Sequence, residues 1–325
     1  MPPSAGTSLK PVKRMPAPKT LPKIGAGNLA RDLDLAQDEL LAVIDLAQQV
    51  KSTPDRFRNA LSGRYLSLLF EKPSLRTRFT FELAIKQLGG DAVFSLGPIG
   101  EREALKDVAR NLDRWTNAIV ARTFAQNTID ELVRWSAVPV INALSDRFHP
   151  CQALADMFTL QEKFGDLRGV KLAFIGDGNN VAHSLMLSAL RLGMNFRIAT
   201  PAGYEPDADV VAQGEALAAV SGAELIVTND PLRAVAGAQA VYTDVWASMG
   251  QEHEKEKRMR DFAPHQVNSA LLEKAAEDAL FLHCLPAKRG EEVTDEVIDS
   301  PRSVVFDQAE NRLHVQKALL LMLIN

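Results

Sequence analysis

The chain alternates between two hydrophobic patterns, one with the period of a helix and one with the continuous apolar run of a buried strand. Residues 34–51, DLAQDELLAVIDLAQQVK, repeat apolar positions at helical spacing. Residues 170–178, VKLAFIGDG, begin with a run typical of a strand that is covered on both faces. Because helical and strand segments alternate along most of the chain, the sequence predicts parallel βαβ units and an α/β fold of two doubly wound parallel-sheet domains.

The predicted elements fall into two groups that meet near residues 150–168. The first group has strands within GRYLSLLF, DAVFSL, NAIVART and VPVINAL, and the second has strands within VKLAFIGDG, NFRIAT, AELIVTN, AQAVYTDVW and ALFLHCL. The chain ends in an apolar helix, NRLHVQKALLLMLI. We predict a first domain over residues 31–160, closed by the C-terminal helix 307–325, and a second domain over residues 161–306. A ligand would bind between them, at the carboxyl ends of the strands.

The N-terminal segment, residues 1–30, differs from the rest of the chain. Its first 28 residues contain six prolines and no acidic residue, a composition that disfavours both a helix and a core. We therefore predict a disordered tail. A basic leader without acids is also a feature of organellar transit peptides, but those are amphipathic and rich in arginine and serine, which this segment is not.

Charge and cysteine content limit the classes of partner. The formal net charge of −4 over 325 residues provides no basic field that would attract nucleic acid. The two cysteines, Cys151 and Cys284, are too few for a disulfide framework and fit a reducing compartment. No apolar run is long enough to span a membrane, and the N-terminus lacks the apolar core of a signal peptide. The sequence predicts a cytoplasmic protein with small-molecule ligands.

The segment FEKPSLRTR, residues 70–78, predicts an anion site. Its turn opens into a helix at Ser74, and Arg76, Thr77 and Arg78 follow in the first turn. Free backbone N–H groups, hydroxyls and guanidinium groups together bind phosphate. An ordinary serine cap followed by solvated arginines would have the same sequence. However, two cations at a helix N-terminus oppose the helix dipole, which favours a bound anion that compensates them.

Other polar residues stand at strand and helix ends where packing does not explain them. Arg122, Asp244 and Cys284 end three of the predicted strands. His149 and Gln152, three residues apart at the start of a helix, can both face one carbonyl or phosphate group. A carboxylate can hold an ammonium group, and a thiol near cations can have a lowered pKa. Each residue alone also has a structural interpretation: a surface arginine, a structural histidine or an inert buried thiol.

Two motifs suggest cofactors that the rest of the sequence does not support. GDGNNVA after a strand is similar to a dinucleotide fingerprint, but Val181 replaces the third glycine, and the segment about 20 residues further on has no acid for a ribose. Histidine and cysteine at 149, 151, 283 and 284 are candidate zinc ligands, but their spacings differ from those of closed zinc sites. We expect neither a nicotinamide cofactor nor a metal.

Taken together, the motifs resemble those of the aspartate/ornithine carbamoyltransferase family. FEKPSLRTR resembles the family's carbamoyl-phosphate loop, and HPCQALAD resembles its second phosphate and carbonyl motif. GDGNNVAHS, DVWASMGQE and HCLPAKRGEEVTDEVI resemble its amino-acid-binding segments, and FDQAENRLHVQKALL is similar to its closing helix. The motifs occur in the family's order and cover the chain from about residue 33 to the end, which makes the resemblance far more specific than any single motif.

The resemblance implies a role for each matching residue. Carbamoyl phosphate would be bound by residues from both ends of the chain: Ser74, Leu75, Arg76, Thr77, Arg122, His149, Gln152, Cys284, Leu285 and Arg312. Ornithine would be bound by Asn180, Asp244, Ser248 and Met249. The catalytic residues would be Arg122, His149, Asp244 and Cys284. The implied reaction transfers the carbamoyl group to the δ-amine of ornithine and gives citrulline and phosphate, as in arginine biosynthesis, in a homotrimer and without a cofactor.

Three departures from the family's pattern bear on the substrate. Leu75 and Lys288 stand where relatives usually have threonine and histidine. The loop over residues 95–103 is shorter than in the family, with Pro98 near its expected glutamine, and in the family this loop reaches the neighbouring subunit's site. A carbamoyltransferase for N-acylornithine or putrescine is therefore an alternative, although Asp244 suits a free ammonium group. A non-catalytic homologue is a second alternative, against which the retained arginines, His149 and Cys284 argue.

Residues 248–262, SMGQEHEKEKRMRDF, form a long, polar and highly charged stretch after the DVWA motif. Such a stretch is typical of a mobile lid that closes over bound substrates. A solvated surface loop has the same composition, so both interpretations stay open at this point.

Overall fold

The computed structural model describes residues 21–247 and 254–325, which form two parallel β-sheets flanked by helices. The first sheet has the order β2-β1-β3-β4, with β1 (Tyr65–Phe70), β2 (Asp91–Leu96), β3 (Ala118–Arg122) and β4 (Val140–Leu144). The second has the order β7-β6-β5-β8-β9, with β5 (Lys171–Ile175), β6 (Asn195–Ala199), β7 (Leu225–Thr228), β8 (Ala240–Thr243) and β9 (Leu280–His283). The predicted class of two doubly wound α/β domains is confirmed.

Twelve α-helices are assigned in the described part of the chain. Those of eight or more residues are α1 (Gln37–Ser52), α2 (Leu75–Gln87), α3 (Leu105–Trp115), α4 (Gln126–Trp135), α5 (Pro150–Phe164), α6 (Asn180–Arg191), α7 (Ala208–Ser221), α9 (Lys255–Phe262) and α12 (Val305–Ile324). The short helices are α8 (Pro231–Val235), α10 (Ser269–Leu272) and α11 (Asp295–Ile298). The sequence did not predict the short helices, because four or five residues are too few to show a helical period. None of the described helices is long and apolar enough to cross a membrane.

Each sheet has one point where the strand order reverses, and these two points position the site. In the first sheet the reversal lies between β1 and β3, and in the second it lies between β5 and β8. Loops that leave neighbouring parallel strands in opposite directions open a crevice at the strands' carboxyl ends. The loops at these points contain the FEKPSLRTR and GDGNN motifs, Arg122 and Asp244.

Helices α5 and α12 join the two halves. Helix α5 contacts both β4 of the first sheet and α6 of the second, and α12 returns from the second half to pack against α1, α2 and α5. The inner strands are buried on both faces, as the continuous apolar runs predict, and β3 is an example with Ala118, Ile119, Val120 and Ala121 all inaccessible. The domain boundary near residue 160 stays a prediction, because α5 contacts elements on both sides of it.

Two expectations from the sequence are corrected. Disorder does not extend to residue 30, because Leu29 is fully buried and its backbone N–H donates to the Val140 carbonyl at 2.9 Å; residues 1–20 lie outside the described part. The polar stretch 248–262 is not a loop throughout, because its second half forms α9. Arg258 of this helix is buried and donates to Asp177 at 2.8 Å and to the Trp246 carbonyl at 2.9 Å.

Candidate active site

A cavity of about 460 Å³ lies between the carboxyl ends of the two sheets. Its lining comes from the ends of six strands and from helices that include α9 and α12, and it includes most of the residues that the sequence singled out. These are Ser74, Leu75, Arg76, Thr77, Arg122, His149, Asn180, Asp244, Cys284, Leu285 and Arg312. The fold thus brings together groups that are separated by more than 200 residues in the sequence, such as Thr77 and Arg312.

The wall from the first sheet begins with the turn between β1 and α2. Ser74 caps α2, and its hydroxyl accepts a hydrogen bond from the Thr77 backbone N–H at 3.3 Å. Arg312 reaches this turn from α12, with its Nη2 atom 2.7 Å from the Thr77 hydroxyl oxygen. Arg76 lines the cavity at the same helix start, whereas the Leu75 side chain is 68% exposed. This part of the cavity is therefore lined by a helix N-terminus, two hydroxyl groups and two guanidinium groups.

Several cationic groups are concentrated on this wall. Burial and the neighbouring Arg312 lower the pKa of Arg122 to about 10, and burial and Arg122 lower the pKa of Lys72 to about 8. Burial and the two arginines hold the pKa of His149 well below its usual value, so its imidazole is neutral at pH 7. Within the described residues, Arg122 Nε, His149 Nδ1 and Arg312 Nε are buried without hydrogen-bond partners. An anion that accepts several hydrogen bonds would provide partners for these nitrogen atoms.

Gln152 does not line the cavity surface, in contrast to His149 one turn earlier on α5. It is buried at 1% exposure, and its Nε2 donates to the Asp156 carboxyl at 2.8 Å. Its Oε1 atom is buried without a partner among the described residues. The α5 N-terminus itself is held from the second half, since the His149 backbone N–H donates to the Ser184 hydroxyl at 2.8 Å.

The opposite wall centres on Asp244, which follows β8. One carboxyl oxygen accepts a hydrogen bond from the Cys284 thiol at 3.1 Å, and the other accepts one from Asn179 Nδ2 at 3.0 Å. Asn180 also lines the cavity, and its Nδ2 donates to the Ser145 carbonyl at 2.6 Å. Asn179 was missed from the sequence, although an asparagine at the predicted start of a helix is a capping signal.

Of the two interpretations of Cys284, the structure supports the buried thiol and not a thiol of lowered pKa. Burial and the adjacent Asp244 carboxyl raise its pKa well above the usual value, and Arg312 opposes this only weakly. The group is therefore a neutral thiol that donates a hydrogen bond. A neutral thiol is a poor nucleophile, so the geometry favours a role in placing Asp244 rather than in covalent catalysis.

The turn after β9 holds Leu285 in a strained conformation beside the cavity. Leu285 has φ of 55°, a left-handed value that costs a residue with a β-carbon about 1–2 kcal/mol. Its N–H donates to His283 Nδ1 at 2.9 Å, and His283 Nε2 lies 3.1 Å from the buried Glu292. These contacts fix the turn, and they explain the density of ionisable groups in HCLPAKRGEE. The sequence contained both His283 and Glu292 but gave no sign that they pair.

The four histidines and cysteines considered as zinc ligands are not brought together. In the described part of the chain, the group with ligand atoms within 4.8 Å of one another is Asp244, His283 and Cys284. Both ring nitrogens of His283 already have hydrogen-bond partners. Cys151 lies in the core, where burial raises its thiol pKa to about 12.

Several residues at the cavity were not predicted, and two that were predicted are not described. Lys72, Lys255 and Lys288 line the cavity and add positive charge to it. The sequence gave Lys288 only as a departure from a family pattern and did not single out the other two. Ser248 and Met249 lie outside the described residues.

The loop over residues 95–103 lies away from this cavity. It lines a separate depression together with the end of β1, and Pro98 is part of that depression. The loop therefore does not complete this chain's own site.

Comparison with known proteins agrees with this geometry. The family model "Aspartate/ornithine carbamoyltransferase, carbamoyl-P binding domain" matches residues 28–162, and the model "Aspartate/ornithine carbamoyltransferase, Asp/Orn binding domain" matches residues 168–323. An ornithine carbamoyltransferase from Anoxybacillus flavithermus is 51% identical over 296 residues, which cover 90% of this chain and 94% of that protein.

Solved structures show the same relationship. The ornithine carbamoyltransferase from Pyrococcus furiosus has a TM-score of 0.90 and 46% identity, and the match covers 93% of this chain and 98% of that one. An N-acetyl-L-ornithine transcarbamylase has a TM-score of 0.83 and 32% identity, with coverage of 91% and 99%. Both domains match in order and over nearly their whole length, and the chain therefore belongs to the aspartate/ornithine carbamoyltransferase family.

Proposed function

We propose that the protein is an ornithine carbamoyltransferase, which transfers the carbamoyl group of carbamoyl phosphate to the δ-amine of L-ornithine and releases citrulline and phosphate, as in arginine biosynthesis. One observation carries the proposal. A single cavity has buried guanidinium groups with unpartnered Nε atoms on one wall and the Asp244 carboxyl on the other. The first wall suits a phosphate dianion, and the second suits the α-ammonium group of an amino acid.

Carbamoyl phosphate binds to the first wall in this proposal. The start of α2, with Ser74, Arg76 and Thr77, holds the phosphate group together with Arg312. Arg122 and the neutral His149 donate toward the carbonyl oxygen. These groups are fixed before the substrate arrives, so they stabilise developing charge without having to reorganise.

Ornithine binds to the second wall, with its α-ammonium group on Asp244 and its carboxylate near Asn180. Its neutral δ-amine attacks the carbamoyl carbon; a C–N bond forms, the C–O bond to phosphate breaks, and the electron pair leaves with the phosphate. The departing phosphate accepts the amine proton, so no further base is needed. The neutral Cys284 thiol keeps Asp244 in place and forms no covalent intermediate.

The proposal is tested by measuring citrulline formation with ornithine, and the analogous products with N-acetylornithine and putrescine. A specificity of at least about a hundredfold for ornithine is expected, because N-acetylornithine lacks the ammonium group that a desolvated carboxylate requires and putrescine lacks the carboxylate that would lie near Asn180. The relative named N-acetyl-L-ornithine transcarbamylase motivates the comparison. Preference for the acylated amine would replace the proposed substrate, and absence of all three activities would remove the proposed function.

Anion binding is expected to depend on the protonation of Lys72. Its pKa of about 8 rises when an anion binds, so the anion prefers the protonated form. The affinity for sulfate, whose charge is constant over this range, should therefore fall as the pH rises through 8. Calorimetric titrations in buffers of different ionisation enthalpy should show proton uptake near pH 8. The Lys72→Met variant should bind more weakly and lose this dependence; an unchanged pH profile in the variant would exclude Lys72 as its source.

The assembly and location form part of the proposal. Large apolar side chains are exposed around the edge strand β2 and on α2, namely Val93, Leu96, Phe79 and Leu83. An apolar surface of this kind is typical of a subunit interface, and we infer a homotrimer in which the 95–103 loop reaches a neighbouring subunit. The free thiols of Cys151 and Cys284 fit a cytoplasmic location. Sedimentation of the purified protein gives the number of subunits directly.

A further inference from the structure

A fully buried carboxyl group lies behind the first wall of the cavity and has no role in the reaction described so far. Asp156 is inaccessible to solvent on α5, one turn after Gln152. Its Oδ1 atom accepts two side-chain amides, Gln152 Nε2 at 2.8 Å and Gln308 Nε2 at 2.6 Å. Burial raises its pKa to about 7, although these donors and Tyr242 oppose the rise. An apolar residue would fit a core position at lower cost, so the acid indicates a specific task.

The carboxyl group determines which end of the Gln152 amide is free. A glutamine side chain has a donor end and an acceptor end, and a carboxylate accepts only. The nitrogen of Gln152 is therefore committed to Asp156, and the oxygen points away from it. That oxygen is buried and has no partner among the described residues. Gln152 also lies one helical turn after His149, on the same face of α5, and His149 lines the cavity.

An acceptor at this position has a defined chemical counterpart. The guanidinium groups of Arg122 and Arg312 can only donate hydrogen bonds, so they serve the oxygens of carbamoyl phosphate. The carbamoyl NH₂ is the one part of that substrate that donates. A Gln152 amide turned the other way would place NH₂ against NH₂ and repel it.

The second amide extends the network to the other side of the cavity. Gln308 lies on α12, and its Nε2 also lies 3.0 Å from the Tyr242 hydroxyl oxygen. Its Oε1 accepts the His283 backbone N–H at 3.0 Å, directly before Cys284. The Asp156 carboxyl group thus also orients the Gln308 amide. This amide holds the end of β9, which leads into the turn with Cys284 and Leu285.

We propose that Asp156 is a positioning residue for the transfer reaction, which fixes the Gln152 amide with its oxygen toward the carbamoyl NH₂. The inference rests on the proposed function. It adds a residue that does not touch the substrate and that acts on the carbamoyl end of the site through Gln152.

Two probes separate this role from a general effect on the fold. Phosphonoacetamide carries an amide next to its phosphonate, whereas inorganic phosphate has no amide. The variants are Asp156→Leu, which removes the acceptor, Asp156→Asn, which keeps one oxygen, Gln152→Ala and the double variant Asp156→Leu/Gln152→Ala. Affinities are measured by calorimetry on the full-length protein, after circular dichroism has shown that each variant is folded.

Asp156→Leu and Gln152→Ala are each expected to weaken phosphonoacetamide binding about tenfold, the effect of one unmade hydrogen bond, while phosphate binding stays within about twofold. The double variant should be no weaker than Gln152→Ala, because both changes remove the same interaction. Asp156→Asn should stay within about threefold of the wild type, since its amide oxygen can accept both glutamines. If the leucine variant does not fold, Asp156→Ser carries the same expectation.

Three results would overturn the inference and leave the proposed function intact. These are equal weakening of phosphate and phosphonoacetamide in Asp156→Leu, independent effects in the double variant, and a loss in Asp156→Asn as large as in the leucine variant. A wild-type protein that binds neither probe would instead overturn the proposed function, and the inference with it.

Discussion

Alanine in place of Arg122 is expected to lower kcat for citrulline formation about a thousandfold, because it removes a preorganised donor from the carbamoyl oxygen and leaves the rest of the site in place. The same change should not destabilise the free protein. Arg122 is desolvated beside Arg312, and no described carboxylate forms an ion pair with it. Removing a buried, uncompensated cation relieves a cost, so the thermal midpoint of the variant should be equal to or higher than that of the wild type.

Anion-induced stabilisation distinguishes this interpretation from a structural one. Phosphate or phosphonoacetamide should raise the melting temperature of the wild type and should raise that of Arg122→Ala much less. Arg58→Ala is a matched control, because the Arg58 side chain is exposed and pairs only with the nearby Asp55 at 3.6 Å; activity and stabilisation should be unchanged in it. If Arg122→Ala melted well below the wild type and kept most of its activity, Arg122 would be a structural residue.

Most of the fold could be predicted from the sequence because each strand carries its own signal. The buried strands are continuous apolar runs, and β2 begins and ends at the predicted residues, Asp91 and Leu96. Helix α9 was missed because the stretch that contains it is highly charged. Arg258 of this helix pairs with Asp177, which follows β5 and is 81 residues away in the sequence. A local pattern cannot show a contact of that range.

Site residues could be predicted where the chemistry requires a particular residue type. They could not be predicted where the role of a side chain depends on neighbours that only the fold brings together. Arginines at the end of β3 and on α12 were expected from their motifs, and both line the cavity. The contact of Asn179 with Asp244 and that of Gln308 with Asp156 join residues 65 and 152 positions apart, so no spacing rule reveals them. The two interpretations of Cys284 stayed open for the same reason, since its pKa depends on burial and on Asp244, which only the fold brings near.

The Asp244→Asn variant is expected to lose kcat/KM for ornithine about a hundredfold or more, mainly through a higher KM. The α-ammonium group would then meet a neutral amide in a desolvated site, and removing one partner of a buried charge pair has an effect of this size. N-acetylornithine has a neutral amide in place of the α-ammonium group, so its low activity should change little. The ratio of kcat/KM for ornithine to that for N-acetylornithine is therefore the decisive measurement, and it should fall about a hundredfold.

Binding on the other wall provides the internal control. Calorimetry should give the same phosphonoacetamide affinity for Asp244→Asn as for the wild type, because the anion is held by groups on the first sheet and α12. Asp55→Asn, a change at an 88% exposed side chain, should affect neither substrate. If Asp244→Asn lowered the activities with ornithine and N-acetylornithine by the same factor, Asp244 would not bind the α-ammonium group. The main contribution of Asp244 would then be its contacts with Cys284 and Asn179, which hold the turn after β9 against the end of β8.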